Sequence, residues 1–460
     1  MSYNTDQLPR DYKKAFKDAD IRGIYPTEIN ETVAYRVARA FVDEFGWKEV
    51  LVARDMRLSS PTLRRAFVAG IRDAGATAVD ISMIDTPGLY FASGSLNLPG
   101  VVITASHNPA EYNGLKLVAP GAIPLTNKTG LGAIKKRITA NTFKAPKTRG
   151  ALQKQSLQQK YVSYIQEKST FTSARPLKVL VDAGNGTAGP LVQKLCHSLP
   201  IDITPLFFEL DGTFPNRESN PTLAKNQKAI KAALKQGNFD FGVAFDGDAD
   251  RVAFFDEKGN YMNSSFIGAL IAAHLLKQFP NSKHVYTVFT SRAYEETITK
   301  NGGTALKARV GHAFIKELMR KKDAIFGCEH SAHFYFKDNY YTDSGILTFL
   351  FVAAAFAEQV ADEKPFSHFI KPYAQYFQTE EVLVGVRDKD QALQNITTQY
   401  ETENPESITH FDGVTVRFSE YWFVVKKSVT EDALKFIVES PKKALALQKQ
   451  KEILEQLRNY

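Results

Sequence analysis

Cysteine is nearly absent: Cys196 and Cys328 are the only two in 460 residues. No disulfide framework can therefore staple this fold, and a reducing, cytoplasmic setting is expected. Long apolar runs are missing too. The longest, around Ile346 to Ala357, is interrupted by Thr348 and falls short of the roughly 20 residues a bilayer span needs. The opening residues, Met1-Ser-Tyr-Asn-Thr-Asp6, carry no basic segment leading into an apolar one, so no secretory signal is expected there. The formal net charge of +8 comes from 58 basic and 50 acidic residues spread along the chain. No aromatic-plus-basic RNA-binding signature accompanies it, which argues against a nucleic-acid partner. That excess reads as solvated surface together with anion-binding positions. The remainder, 43% hydrophobic and 23% charged, is ordinary for a soluble globular protein. The chain is too long for one core and suits about three or four domains.

No residue-level repeat is visible, but one rhythm recurs. A short apolar strand ends in a loop of small and charged residues, and an amphipathic helix follows. Val50–Ala53 leads into Arg54-Asp-Met-Arg57, and Val101–Thr104 into Ala105-Ser-His-Asn-Pro109. Val179–Val181 leads into Asp182-Ala-Gly-Asn-Gly-Thr-Ala-Gly189, Phe241–Phe245 into Asp246-Gly-Asp-Ala-Asp-Arg251, and Val285–Phe289 into Thr290-Ser-Arg292. Strands alternating with helices imply α/β layers. Ligands of such sheets bind beyond the carboxyl ends of the strands, where these loops sit. The polar stretch Ala140–Gly150 reads as a first linker. Asp256–Asn260 reads as a turn before a helix that begins near Ser264, and Asp362–Pro365 precedes a final segment. In that segment strands are expected at Glu381–Val386, Val414–Phe418 and Trp422–Val425, flanked by helices that include Lys442–Leu457. The domain expectation is residues 1–150, 151–258, 259–368 and 369–460, the last a small α+β domain.

Two loops carry the chemistry. Asp246, Asp248 and Asp250 alternate, and in an extended loop alternate side chains share one side. Three converging carboxylates are costly unless a cation fills the space, and hard oxygen ligands suit Mg²⁺. An EF-hand is excluded because Arg251 stands where that loop needs its turn glycine, and because the flanks read as strands. The bland alternative is a solvated acidic turn, and Arg251 beside a buried strand weighs against it. Ser106 is a hydroxyl held just past a buried strand, able to carry a phosphoryl group covalently. A metal site with an exposed serine points to phosphoryl transfer. A serine-hydrolase triad is not expected, since no Gly-x-Ser-x-Gly elbow is present.

The segment Thr104-Ala-Ser-His-Asn-Pro109, followed by Tyr112-Asn-Gly-Leu-Lys116, resembles the phosphoserine loop of the α-D-phosphohexomutases. Asp20-Ile-Arg-Gly23, Arg54–Pro61, Asp246–Arg251, Val310-Gly-His312 and Gly327-Cys-Glu-His-Ser-Ala-His333 resemble the family's other signatures, in order, over nearly the whole chain. The resemblance implies an α/β protein of four domains, three related α/β domains and a small C-terminal α+β domain, around a central cleft. It implies a phosphoserine at Ser106, with Mg²⁺ held by that group and by Asp246, Asp248 and Asp250. The implied reaction moves a phosphoryl group between the 1- and 6-positions of a hexose through a 1,6-bisphosphate. Arg22, Lys116, His312 and Arg251 are the implied catalytic or phosphate-binding partners of Ser106. Glu329 and Ser331 would contact a vicinal diol of the sugar, supported by His333. The Glu-x-Ser-x-His form of residues 329–333 is most similar to the phosphomannomutase/phosphoglucomutase group, which act on mannose and glucose phosphates. Small sugar phosphates are the implied partners of a monomer or dimer, without nucleic acid or membrane.

The family's clamp for the idle phosphate begins with Arg, then has Ser, Thr, Glu and Pro. Here the segment is Lys426-Lys-Ser-Val-Thr-Glu-Asp432. Ser428 and Thr430 are kept, as is Glu431, while Lys426 loses the guanidinium fork. Lys427 could add a second cation, and Asp432 brings a negative charge near an anion. A retuned clamp is the expectation. Ala332, where glycine is common, is expected to stiffen the sugar loop. Three alternatives stay open at this point. Phosphoglucosamine mutase is the nearest relative. A haloacid-dehalogenase-type phosphatase would explain Asp246-Gly-Asp248 but leaves Ser106 unused. A non-catalytic sugar-phosphate binder would fit the altered clamp.

Overall fold

The computed structural model describes residues 7–146, 148–169, 171–428 and 432–459. The chain divides into two compact units, one formed by Met1–Met262 with Ser331–Phe366 and the other by Asn263–His330 with Ser367–Tyr460.

The first unit is built on two sheets, whose central strands Gly100–Ile103 and Phe241–Phe245 are apolar and buried throughout, as strands covered on both faces are. In the first sheet, Glu49–Arg54 lies between Thr77–Met83 and Gly100–Ile103, parallel to both. Tyr112–Ala119 then returns antiparallel beside Gly100–Ile103, and Ile21–Ile24 pairs antiparallel on its other side. That last pairing places Arg22 opposite Gly114, next to the serine loop. The helices Glu31–Phe45 and Ser60–Asp73 supply much of the core beside this sheet. The former starts where the Asn30 side chain accepts the Val33 amide and stops at Gly46, whose φ of 69° suits glycine. In the second sheet, Leu177–Asp182 and Phe241–Phe245 run parallel, and Val252–Asp256 turns back against the latter. The aspartate loop thus leaves the carboxyl end of a fully buried strand. The apolar stretch noted above is the helix Gly345–Ala357, whose Phe349 packs on Phe241 and Phe245. It is apolar around its girth because it is a core helix. No helix among the described residues is long and apolar enough to cross a membrane.

In the second unit, Lys283–Thr287 runs parallel to Thr304–Ala308 on one side and to Phe326–Cys328 on the other. The helices Ser264–Gln278, Arg292–Lys300 and His312–Lys322 accompany these strands. The C-terminal part is an antiparallel sheet with the helices Lys389–Glu401 and Lys443–Arg458. Sequence reading anticipates its strands Val382–Gly385, Val414–Arg417 and Trp422–Lys427 within a residue or two. It leaves out Ala433–Ser440, an eight-residue inner strand that pairs with Trp422–Lys427, Val382–Gly385 and Phe377–Gln378. Lys435 interrupts its apolar run, yet that position is only half-buried, so the charge reaches solvent.

Asp85 tests the electrostatics of the first unit. It caps the helix Thr86–Leu96, accepting the Gly88 amide at 2.8 Å and the Tyr161 hydroxyl at 3.3 Å. Burial pushes its carboxyl up to about 7, against the lowering pull of those two bonds, and Asp248 adds to the rise. A carboxyl with a raised folded value takes up a proton on folding, so stability falls as pH rises from about 4 towards 7. Asp85→Asn keeps a cap acceptor and cannot ionise. Thermal melts across that window should show a shallower fall for the variant than for the parent. Parallel curves would mean the charge at Asp85 is not the cause.

Candidate active site

The serine loop is fixed through its backbone. Ser106 adopts a φ of 50°, a left-handed conformation uncommon for a residue with a Cβ. Its amide donates to Thr104 Oγ1 at 2.9 Å. Its carbonyl accepts from Arg57 Nη2 at 2.9 Å and from Ser219 Oγ at 3.0 Å. Arg57 is wholly buried. It also donates to the carbonyls of Asn108 at 2.6 Å, Pro109 at 2.6 Å and Tyr112 at 3.0 Å, and pairs with Asp55 at 3.3 Å. One guanidinium therefore gathers four carbonyls around the serine. Arg57 lies in a signature that sequence reading picks out, but nothing in the sequence names the four carbonyls as its partners.

The aspartate loop meets this loop directly. Ser106 Oγ donates to Asp246 Oδ2 at 2.8 Å and lies 3.5 Å from Asp250 Oδ1. Ser219 Oγ accepts the Gly247 amide at 2.8 Å while donating to Ser106, so one hydroxyl ties both loops. A Cβ at position 247 would sit 2.8 Å from that hydroxyl and 3.0 Å from the Ser106 carbonyl oxygen, which is why glycine belongs there. The loop is a turn rather than the extended segment expected. The Ala249 amide reaches back to the Asp246 carbonyl, and Ala249 has a φ of 58°. Curvature, not strand alternation, brings the carboxylates together.

Those carboxylates are buried, with one oxygen from each of Asp246, Asp248 and Asp250 within 4.8 Å of the others. Lys116 Nζ donates to Asp248 Oδ2 at 2.8 Å and to Asp250 Oδ2 at 2.5 Å. Thr86 Oγ1 donates to Asp248 Oδ2 at 2.5 Å. Asp248 Oδ2 is thus doubly engaged, while Oδ1 of the same carboxylate is buried without a hydrogen-bond partner among the described residues. Orphaned carboxylate oxygen beside two more carboxylates is a donor set that fits a hard dication such as Mg²⁺. Burial and the charges of Asp250 and Asp248 push the Asp246 carboxyl well up. Burial disfavours the Lys116 charge, but Asp248 and Asp250 outweigh it and hold the ammonium well above its ordinary value.

The other first-unit residues cluster here. Arg22 pairs with Asp20 at 2.5 Å and donates to Asn108 Oδ1 at 2.8 Å. Burial opposes its charge, and Asp20, Asp248 and Asp250 raise it overall. Arg251 Nε lies 4.0 Å from Asp246 Oδ2 and 3.3 Å from His333 Nε2, which is itself 3.3 Å from Asp250 Oδ1. Ser331 Oγ reaches His333 Nδ1 at 3.0 Å. His107 Nδ1 is 3.4 Å from Ser106 Oγ. Burial, then Arg251 and Arg22, push its imidazole well below the usual histidine range, so it stands neutral at physiological pH. Ala332 has a φ of 68°, a left-handed position in which an alanine is strained and glycine is not.

His312, Glu329, Lys426 and Ser428 belong to the second unit. His312 opens the helix His312–Lys322 after Gly311. The Gly311 amide donates to Glu329 Oε1 at 3.3 Å, and the adjacent Val310 amide donates to Asp412 Oδ2 at 2.7 Å. Lys426 pairs with the other oxygen of Asp412. Two consecutive amides thus join Glu329, by way of Asp412, to Lys426. Ser428 is buried, and its amide donates to the Ala433 carbonyl at 2.9 Å. Lys427 pairs with Asp390, and Asp432, almost fully exposed, with Lys389. Thr430 and Glu431 lie outside the described residues.

Two measurements check this geometry. Mg²⁺ should raise the melting temperature, and Asp248→Asn should lose most of that rise; an undiminished rise would remove Asp248 from the metal set. Arg57→Lys cannot bridge four carbonyls. It should lower kcat on the order of a hundredfold, the scale of a misplaced reacting group, with KM little changed. A parental kcat would show that the loop holds Ser106 without the guanidinium.

Comparison with known proteins agrees with this geometry. Phosphoglucomutase/phosphomannomutase α/β/α domains I, II and III match residues 13–145, 159–259 and 263–376. A protein described as phosphohexose mutases from Xanthomonas campestris pv. campestris is 35% identical over 428 residues, covering 93% of this chain and 95% of its own. A phosphomannomutase of Escherichia coli K12 is 34% identical over 434 residues, covering 92% and 94%. The crystal structure of a phosphoglucomutase/phosphomannomutase family protein from Burkholderia thailandensis superposes with a TM-score of 0.88 at 29% identity, covering 97% of each chain. The three α/β/α domains are followed by the C-terminal sheet, and the chain belongs to the phosphoglucomutase/phosphomannomutase family: it is a phosphohexomutase, an intramolecular phosphotransferase.

Proposed function

We propose that this enzyme interconverts the 1- and 6-phosphates of mannose, glucose or both, through a phosphoserine at Ser106 and a bound hexose 1,6-bisphosphate. The observation that carries the reading is Ser106 Oγ, held 2.8 Å from Asp246 in a buried cluster with Asp248, Asp250 and Lys116. Asp246, Asp248 and Asp250, together with the phosphate on Ser106, would hold Mg²⁺. When bound, Mg²⁺ supplies neutralising charge to the transferring phosphoryl group.

The chain's own residues do the rest. In the forward half-reaction the P–Oγ bond of phosphoserine breaks as a sugar hydroxyl oxygen bonds to phosphorus. The hydroxyl loses its proton and Ser106 Oγ gains one. Lys116, whose Nζ bonds to Asp248 and Asp250 beside the serine, is the proposed proton donor to Ser106 Oγ. Arg22 and Arg251 bring guanidinium forks to the phosphate. His312 is the proposed proton acceptor for the sugar hydroxyl. The bisphosphate then turns over, and the reverse sequence returns the other phosphate to Ser106. Glu329 and Ser331 read the sugar diol, His333 supports Ser331, and Lys426, Ser428 and Thr430 receive the idle phosphate. We also propose domain limits at 1–150, 151–258, 259–368 and 369–460; the first two family segments, 13–145 and 159–259, are close to the first two of these, while the third runs on to 376.

The phosphatase alternative has Asp246 as nucleophile. The serine donating to that carboxylate supports the mutase reading instead. Assay of glucose 1-phosphate and mannose 1-phosphate with Mg²⁺, with and without the matching 1,6-bisphosphate, tests the proposal. Turnover should fall on the order of a thousandfold or more in Ser106→Ala, the scale for losing a nucleophile. Mass spectrometry should place the phosphate on Ser106. Turnover that survives the substitution, or a phosphate found on aspartate, would overturn it.

A further inference from the structure

The second unit carries a guanidinium that neither the family signatures nor the sequence reading assigns. Arg309 stands just before the Val310-Gly-His312 segment. Its Nε lies 3.7 Å from Asp412 Oδ1, the oxygen that also pairs with Lys426. Its guanidinium carbon sits 4.4 Å over the Phe314 ring, so a stacked plane is held in place. The two cations differ in access. The Lys426 side chain is 13% exposed and closed off against Asp412, whereas Arg309 is 55% exposed. Among the described residues the guanidinium makes no hydrogen bond. With Nε turned to Asp412, the two Nη groups and their four N–H donors are open to an anion.

We infer that Arg309 supplies the guanidinium of the idle-phosphate clamp, in place of the arginine that Lys426 has replaced. This rests on the phosphohexomutase reading above. The ligand is the phosphate monoester of the bound hexose. A lysine is a point charge and cannot grip two phosphate oxygens in a fork, whereas Arg309 can. Two cations sharing one carboxylate leave one net positive charge for the phosphate. Asp412 acts as a positioning residue. It orients both cations and, through the Val310 amide, fixes them to the backbone whose next amide holds Glu329. The sugar reader and the clamp are thereby held at a set separation.

Steady-state kinetics on glucose 1-phosphate test the assignment, with Arg309→Ala, Arg309→Lys, Lys426→Ala and Ser106→Ala measured alongside the parent. Arg309→Ala should raise KM at least tenfold, the scale of a charge-assisted hydrogen bond, and by more than kcat falls. Arg309→Lys should recover only part of that affinity, because charge returns without the fork. Lys426→Ala should raise KM by less than Arg309→Ala. A half-exposed side chain tolerates truncation, and circular dichroism melts confirm that each variant is folded. An Arg309→Ala KM within twofold of the parent overturns the inference, whatever Lys426→Ala does. Full rescue by lysine overturns the fork. Failure of the underlying reading shows separately, as turnover that survives Ser106→Ala.

Discussion

Three carboxylates buried at one point are the constraint around which the first unit is arranged. Asp246, Asp248 and Asp250 come within 4.8 Å of one another, away from the water that would screen them. Such a cluster persists only if charge of the other sign is built in. Lys116 bridges Asp248 and Asp250 from the strand Tyr112–Ala119, and Arg251 approaches Asp246 from the end of the loop itself. Even so the balance stays negative. Asp246 is driven up towards its neutral form, and one oxygen of Asp248 has no hydrogen-bond partner among the described residues. The residual negative charge and the open oxygen are properties of a site shaped for a cation.

Rigidity is the second requirement, because the proposed nucleophile, Ser106, must be aimed at this charge. Ser106 sits in a backbone conformation that costs on the order of 1–3 kcal/mol for a residue with a side chain. Arg57, Thr104 and Ser219 all bond to its peptide groups and over-determine that conformation. Arg57 reaches across from the loop after one strand to four carbonyls beyond the next. Ser219 couples the serine loop to Gly247, so neither loop can shift without disturbing the other. The cost of burying a guanidinium is offset because it supplies donors to four carbonyls at and beyond the serine.

Much of this was legible in the sequence, for identifiable reasons. Apolar runs such as Phe241–Phe245 show where strands end, and in α/β sheets that is where the reactive loops begin. Ser106 and the aspartates could therefore be named from local pattern. The reason given for the aspartates' convergence was wrong: the loop curls at Ala249 rather than running extended. Ala433–Ser440 escaped because Lys435 breaks its apolar run at a half-buried position. The partners of Arg57, Thr86 and Asp412 are illegible for a different reason. Thr86 meets Asp248 across 162 residues, Ser106 meets Arg57 across 49, and Asp412 meets Val310 across 102. Nothing local to an arginine, a threonine or a turn aspartate announces a partner that distant.

The same logic of uneven sharing appears in both units with opposite sign. Beside Ser106, two carboxylates share one ammonium, Lys116, and negative charge is left over. At Asp412, two cations share one carboxylate, and positive charge is left over. Fully balanced pairs would be more comfortable folded but would hold nothing for a ligand. A shared counter-ion fixes the geometry of both neighbours while neutralising only one of them. In the first unit that residue is the sign a metal requires; in the second it is the sign a phosphate requires. The substitution of lysine for arginine at position 426 is intelligible in this light. A compact ammonium can be drawn into a buried pair with Asp412, where it serves to hold the carboxylate in place. The wider guanidinium of Arg309, over the Phe314 ring, stays more than half exposed.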